Sequence, residues 1–431
     1  MKKFFWIFTV AALLAVACSG GEGDMPWPDD LDGKDEETPS TTIVEQGKPL
    51  PIWSEGYLDI HFINTGRGEC CFYILPDGTT LLVDAGEVKA TYKASATSGD
   101  DAVEQKPNAN TRPYLVYATY IKHFMPKGRS AINYCAPSHF HIDHIGSTNM
   151  ATETAAAGYK KAGLTALYDE IPYLNVLDRA YPDYPMNNNH ASVPEMDGQM
   201  REDWKKFVNW GEKEGKFKAA RFTPGEEQIV LVYDKDSYSN FRIFNVCANG
   251  FVWSQSGITG SKSAKGNPAS CGFHITYGKF DYMACGDLTS APQNLAGNYV
   301  RDFIGASKLD AFKAHHHLSA NSWGSSMQKE YFDPRVIVNQ NFYIKQPDAT
   351  LVNNIVGNVY ASTRLITDFF TTNLHPYYIS TNKSAVDNME GYNGHIVIRV
   401  QPGGGEYNVY MLDDTDYLFK VKSIHGPYTS K

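Results

Sequence analysis

Four residues that can bind metal ions fall within six positions, in the run His139-Phe140-His141-Ile142-Asp143-His144. Three imidazoles and one carboxylate at this density suit a borderline-soft divalent cation such as zinc; manganese(II) and iron(II) are also compatible. In a tight turn, His139 and His141 can face one ion while Asp143 and His144 face another. One ion can activate a water, and two can also hold the substrate's oxygens. The chemistry this predicts is metal-assisted hydrolysis at a phosphorus or carbonyl centre. Asp143 is the catalytic candidate, because a metal-binding carboxylate can also carry a proton to the leaving group. The competing reading is a chance surface cluster, which composition makes rare.

These side chains need elements to hold them. Ala131 to Pro137 is a short apolar strand that runs straight into the histidines. Upstream, Tyr57 to Phe62 alternates like a strand and Thr65 to Gly68 is a turn. Cys70 to Leu75 and Thr80 to Val83 are strands around the turn Pro76-Asp77-Gly78. Pro113 to Phe124 has helical spacing. Downstream, strands are expected at Gln228 to Tyr233, Phe241 to Cys247, Phe273 to Tyr277 and Tyr282 to Cys285. Others are expected at Ala311 to Ala314, Arg335 to Asn339, His395 to Val400 and Tyr407 to Leu412. Helices are expected at Glu202 to Glu214, Val300 to Ile304 and around Val359 to Phe370. Strands in two groups with helices between them predict an α/β fold: two sheets face to face, helices outside.

The run His139 to His144, followed by Ile145-Gly146, resembles the H-x-H-x-D-H signature of the metallo-β-lactamase fold superfamily. Other segments agree in order with the subgroup found in the competence DNA-uptake protein ComEC. These are His61 to Glu69, Leu75 to Gly78, Leu82 to Gly86, Asn267 to Ser270 before a strand, Tyr277-Gly278, Cys285 to Leu288 and Lys313 to His317. The resemblance spans about 57 to 325 and extends toward Val400. It implies the four-layer αββα metallo-β-lactamase sandwich with insertions. It also implies that Asp287 bridges two metals, and that His316 or His317 is the last ligand while the other contacts substrate or supports the site. His315 is then structural, and Asp84 orients a histidine from behind.

Two departures stand out. Many relatives carry a further metal histidine between the first motif and the bridging aspartate. Here that interval holds only His190, in a polar loop, and His274, inside an alternating strand. His274 reads as a packed or hydrogen-bonded strand residue. Leu318 stands where the family often has glycine.

The ends and the composition set the frame. Lys2 and Lys3, an apolar run and Ala15-Val16-Ala17-Cys18 read as an export signal (1–17) with a lipoprotein box, making Cys18 the lipid-attachment residue. A flexible linker (18–50) follows, rich in Gly, Asp, Glu, Pro, Ser and Thr. The hydrolase domain is expected over 51–431. Insertions fall at about 87–111 and 151–235, the second near the site mouth, and the C-terminal part covers about 325–431. The chain is thereby expected in the cell envelope, anchored to a membrane through its lipid. A net charge of -9 gives no signal for nucleic-acid binding through bulk charge. Besides Cys18, the six cysteines form no C-x-x-C pair and read as buried thiols. The sequence carries no signal of oligomeric state.

Three function classes compete. The first is a hydrolase acting on a small-molecule or polymeric phosphodiester, since the subgroup it resembles acts on phosphodiesters. The second is a β-lactam or other amide or ester hydrolase. The third is a non-catalytic surface binding module, which need not keep its ligand positions. Ser319 is a pocket-lining candidate.

Overall fold

Leu58, Ile60 and Phe62 face one side of the first strand, and Asp59 and His61 face the other; all five are buried. A strand buried on both faces must be covered on both. The computed structural model shows how, over residues 43–91, 102–184, 201–261, 264–305, 309–323, 331–357 and 367–431. The strands are β1 (Leu58–Phe62), β2 (Cys71–Ile74), β3 (Thr80–Val83), β4 (Ile132–Cys135), β5 (Tyr173–Asp178) and β6 (Lys218–Arg221). Then come β7 (Phe241–Ala248), β8 (Phe251–Ser254), β9 (Gly257–Gly260), β10 (Gly272–Tyr277), β11 (Phe280–Ala284) and β12 (Ala311–Lys313). The last are β13 (Val336–Asn339), β14 (Asp368–Thr371), β15 (Gly391–Tyr392), β16 (His395–Val400), β17 (Glu406–Leu412) and β18 (Val421–Thr429).

They form two nine-stranded mixed sheets, in the orders β18-β17-β16-β1-β2-β3-β4-β5-β6 and β15-β14-β13-β12-β11-β10-β7-β8-β9. In the first sheet, β3 to β6 pair in parallel and the rest are antiparallel. In the second, β11 to β15 are parallel. The inner faces share one core, with Phe62, Tyr73 and Leu81 packed with Phe273, Tyr282 and Val338.

Helices α1 (Pro113–Phe124), α3 (Leu164–Glu170) and α4 (Arg201–Lys213) cover the outer face of the first sheet, with Tyr120, Leu167 and Trp204 packed with Phe72 and Leu82. Helices α5 (Ser290–Tyr299), α6 (Ala349–Val356), α7 (Pro376–Thr381) and α8 (Lys383–Asp387) share a core with the outer face of the second, where Val352 and Val386 join Met283 and Phe369. The result is the four-layer αββα sandwich. The short α2 (Ile142–Ile145) lies between β4 and α3 and belongs to the site.

The outward polar residues of β1 are matched. Arg399 on β16 gives Asp59 two hydrogen bonds, of 2.8 and 2.6 Å. Burial works to raise the Asp59 pKa, but the guanidinium outweighs it and holds the carboxyl at about 2. His61 meets the Tyr120 hydroxyl at 3.0 Å.

Several expectations need correction. The block 151–235, expected as an insertion, supplies α3, α4 and two strands of the first sheet, β5 and β6. Gln228 to Tyr233 is not a strand: Ile229 and Leu231 are buried, but the N–H groups of Val232 and Tyr233 donate to the Thr79 hydroxyl and the Asp77 carboxylate. The alternation is real, and the backbone partners are side chains. The helix expected around Val359 to Phe370 falls partly outside the described residues, and its end is strand β14. Folded chain also begins before residue 51, since Gly47 and Leu50 donate to the carbonyls of Val421 and Phe419. The C-terminal part is shared between the sheets, with β16 to β18 placed beside β1. The expected signal peptide, Cys18, and most of the linker lie outside the described residues. So does His190.

The compact unit runs from Val44 to Lys431. Cys70, Cys71, Cys135, Cys247, Cys271 and Cys285 are buried free thiols. Among the described residues, no helix is long and apolar enough to cross a membrane.

Candidate metal centre

The centre sits where strands end. Asp84 follows β3, His139 to His144 follow β4, Asp287 follows β11, and His315 to His317 follow β12. The α2 turn is too short to hold itself by helical hydrogen bonds alone. Two loops brace it instead. The carbonyls of Ile142, Asp143 and His144 accept the N–H groups of Glu87 (3.0 Å), Glu69 (2.8 Å) and Ala85 (2.7 Å). This close docking explains two glycines. Gly68 is left-handed (φ +137°), and a β-carbon there would lie 2.6 Å from the Asp143 carbonyl oxygen. Gly86 packs against the same carbonyl.

Each buried imidazole is oriented by a partner on its Nδ1 side. His144 donates Nδ1–H to Asp84 Oδ2 at 2.9 Å. Asp84 is itself fixed by the Ser138 N–H and hydroxyl, both at 2.7 Å. His139 Nδ1 meets the Ser138 oxygen at 3.1 Å, and His317 Nδ1 donates to the Gln340 carbonyl at 2.8 Å. In all three rings this leaves Nε2 for the centre.

Four groups then converge: Asp143, His144, Asp287 and His317, all buried, each offering one atom within 4.8 Å of the others. His144 Nε2 lies 3.4 Å from Asp143 Oδ2 and 3.1 Å from Asp287 Oδ2. His317 Nε2 lies 3.0 and 3.3 Å from the same two oxygens. A tetrahedral zinc with bonds of about 2.0–2.1 Å sets its ligand atoms about 3.3–3.4 Å apart. The cage therefore fits a zinc-sized cation with little movement. His139 and His141 stand to one side, their rings 4.5 Å apart, with His139 Nε2 3.9 Å from Asp287 Oδ2. Among the described residues, His139 Nε2 and Asp287 Oδ1 are buried without a hydrogen-bond partner. Both are donor atoms suited to a second cation beside the first.

The charges agree with this use. Burial opposes ionisation of Asp143 and Asp287, but His144 and His317 hold both carboxyls well below the ordinary range. Burial likewise opposes protonation of His144 and His317, and Asp287 leads the carboxylates that push both well above it. Without a cation, the cage is a closed set of ion pairs. A cation must displace those protons, so uptake and pH are linked. His139 is pushed well below its ordinary value by burial, then by His144 and His141, which leaves a neutral ring.

Of the paired histidines, His317 enters the cage and His316 does not. His316 is held between the Asn267 amide (2.9 Å) and the Asn321 amide oxygen (3.0 Å) at the half-buried rim. His315 is buried against Phe312 and Phe332, with Gln293 on its Nδ1, and is structural. His316, His317 and Leu318 are all left-handed (φ 48°, 52° and 50°). Leu318 thus keeps a glycine-like backbone under a buried side chain. His274 binds Asp281 (2.7 Å) and the Tyr299 hydroxyl (3.0 Å), as a hydrogen-bonded strand residue. Ser319 is half-buried, next to this turn. Roles for Glu69, Lys313 and Ser138 were not read from the sequence, although Glu69 and Lys313 stand inside the ordered motifs.

No family model matches the chain, and no curated protein matches it in sequence. Among solved structures it is similar to a HARLDQ-motif mutant of a metallo-β-lactamase from Cronobacter sakazakii. The identity is 12%, over 62% of this chain and 78% of that one, with a TM-score of 0.28. It is also similar to Zn(2+)-bound PqqB from Methylobacterium extorquens: 11% identity, over 57% of this chain and 59% of that one, TM-score 0.25. A third likeness is to the hydrolase AbOPH of the β-lactamase superfamily: 10% identity, over 56% of this chain and 75% of that one, TM-score 0.27. The fold assignment rests on the sheet order and the layer packing described above.

Proposed function

We propose that this chain is a metal-dependent hydrolase that cleaves a phosphodiester, tethered to the cell envelope through a lipid on Cys18. One observation carries the metal reading: the buried cage of Asp143, His144, Asp287 and His317, with its four His–Asp edges of 3.0–3.4 Å. His139 and His141, together with Asp287, would hold a second cation. Zinc is the cation the donor set fits best. When bound, such a cation makes water acidic enough to ionise near neutral pH and polarises the oxygen of the group being cleaved.

The chain's own residues do the rest. Asp84, Ser138 and the Gln340 carbonyl fix three imidazoles so that no reorientation is needed during reaction. Asp143 would take up the proton released as the water ionises and pass it to the leaving oxygen. His316 and Ser319 line the rim, where the His316 ring, held at both nitrogens, can offer its face to the substrate. The phosphodiester reading comes from the resemblance of the ordered motifs Asn267 to Ser270, Cys285 to Leu288 and Lys313 to His317 to a subgroup that acts on phosphodiesters.

The test is to purify the protein, count its zinc, and assay generic phosphodiester and β-lactam substrates. Bound zinc with phosphodiester turnover is expected. Asp143→Ala and His141→Ala should each lower that turnover by at least ~100-fold with the circular dichroism unchanged. β-Lactam turnover alone would redirect the substrate reading. Neither zinc nor turnover would sink the enzyme reading. Cys18→Ser should move the protein out of the membrane fraction, and persistent anchoring would refute the lipid assignment.

A further inference from the structure

Beneath the cage, Glu69 and Lys313 are both buried and lie 2.7 Å apart (Oε2 to Nζ). Their partners give the pair its meaning. The other Glu69 oxygen is 3.0 Å from His317 Nδ1, and Oε2 is 3.7 Å from His144 Nδ1. Glu69 N–H donates to the Asp143 carbonyl, and its own carbonyl accepts the Gly86 N–H, both at 2.8 Å. Lys313 also donates to the carbonyls of Ala314 (3.1 Å) and Gly286 (3.4 Å), which adjoin the turns bearing His317 and Asp287. Through side chain and backbone together, Glu69 and Lys313 therefore touch every segment that supplies a cage ligand.

Packing alone does not explain this choice. A buried ion pair loses much of its hydration, and an apolar pair of the same volume is often as stable or more so. Orientation alone does not explain it either, because the Gln340 carbonyl already accepts His317 Nδ1–H. Glu69 adds a negative charge behind the ring. A negative charge beside the far nitrogen raises the basicity of an imidazole ligand.

We propose that Glu69 and Lys313 act as one charged positioning unit that sets how tightly the cage holds its cation. Glu69 strengthens His317 as a ligand, and Lys313 keeps the Glu69 carboxylate against it. This inference rests on the metal reading above.

The test separates affinity from stability, using zinc itself in competition with a chromophoric chelator. Glu69→Gln should weaken zinc binding about 10- to 100-fold and lower the melting temperature of the cation-free protein, since Lys313 is left buried and unpaired. In the double variant Glu69→Gln/Lys313→Met, the cation-free melting temperature should return to within a few degrees of wild type while zinc affinity stays low. A merely structural pair predicts the opposite: stability and zinc affinity would recover together, which would overturn the proposal. Should the double variant fail to fold, Glu69→Asp serves in its place. It keeps the charge but draws the carboxylate back from His317, so zinc affinity should fall about 10-fold; unchanged affinity overturns the proposal. A wild type that takes up no zinc refutes the metal reading and this inference with it.

Discussion

A β-carbon on Gly86 would overlap the carbonyl oxygen of Asp143. The strand-end loop and the metal-binding turn are packed backbone to backbone, and side chains begin only beyond that contact. Gly86→Ala must therefore push α2 away from Glu69, Ala85 and Glu87, breaking the hydrogen bonds that carry the turn. The expected cost is about 2–4 kcal/mol in urea unfolding, together with weaker zinc retention. Wild-type stability and full zinc content in this variant would refute the close docking.

The cation should stabilise the fold without being needed for it. In its absence His144 and His317 already pair with Asp143 and Asp287. Removing zinc with a chelator should leave the circular dichroism spectrum unchanged. The melting temperature should fall by several degrees, as about 2.7 kcal/mol of binding free energy is lost when free zinc was ~100 times its dissociation constant. Unfolding on chelation would contradict the closed, ion-paired cage.

Stability should also fall in mild acid for a reason far from the cage. His395 is buried, and its Nδ1 accepts the Asn64 N–H at 2.9 Å. Burial lowers its pKa from 6.5 to about 3. The folded state then binds fewer protons than the unfolded chain between those values. The stabilising contribution is complete above pH 6.5 and is lost as pH falls toward 3, at up to about 1.4 kcal/mol per unit for one group. Asp59 acts in a separate window, below 3.8. Urea midpoints at pH 7, 6 and 5 measure the effect. His395→Gln should flatten the profile, and an equally steep profile would refute the assignment.

Leu318 gives a test of backbone strain. Ordinarily glycine is less stable than alanine inside regular structure by ~0.5–1 kcal/mol. At Leu318 the φ of 50° reverses the sign. Both substitutions lose a buried side chain, but Leu318→Gly should be the more stable of the two, by about 1 kcal/mol. Denaturation curves in which the alanine variant is the more stable would show that the turn can relax.

Much of this architecture was written locally. Helix α1 runs from Pro113 to Phe124 as its spacing predicts, because Pro113 fixes its start and its apolar face is regular. β3 and β16 also match residue for residue, each a short run buried on both faces. The runs that were missed or misread depend on distant partners. Lys218-Ala219-Ala220-Arg221 has no strand signature and becomes β6 only by pairing with β5. Gln228 to Tyr233 has the signature but meets side chains instead of a strand. The site divides in the same way. His139 to His144 announces itself in six letters, while Asp287 and the His316-His317 pair came only through the resemblance of the ordered motifs to a known family. The union of Glu69 and Lys313 depends on β1, β2, β11 and β12 meeting at one end of the sandwich, and no local pattern encodes that meeting.

The cage takes Asp143 and His144 from the first sheet and Asp287 and His317 from the second. A cation held there is a removable cross-link between two layers otherwise joined by an apolar core and a few fixed polar contacts, such as Tyr73 to Tyr282 and Glu69 to Lys313. Loading it should slow hydrogen exchange at the inner edges of both sheets together, and removing it should free both together.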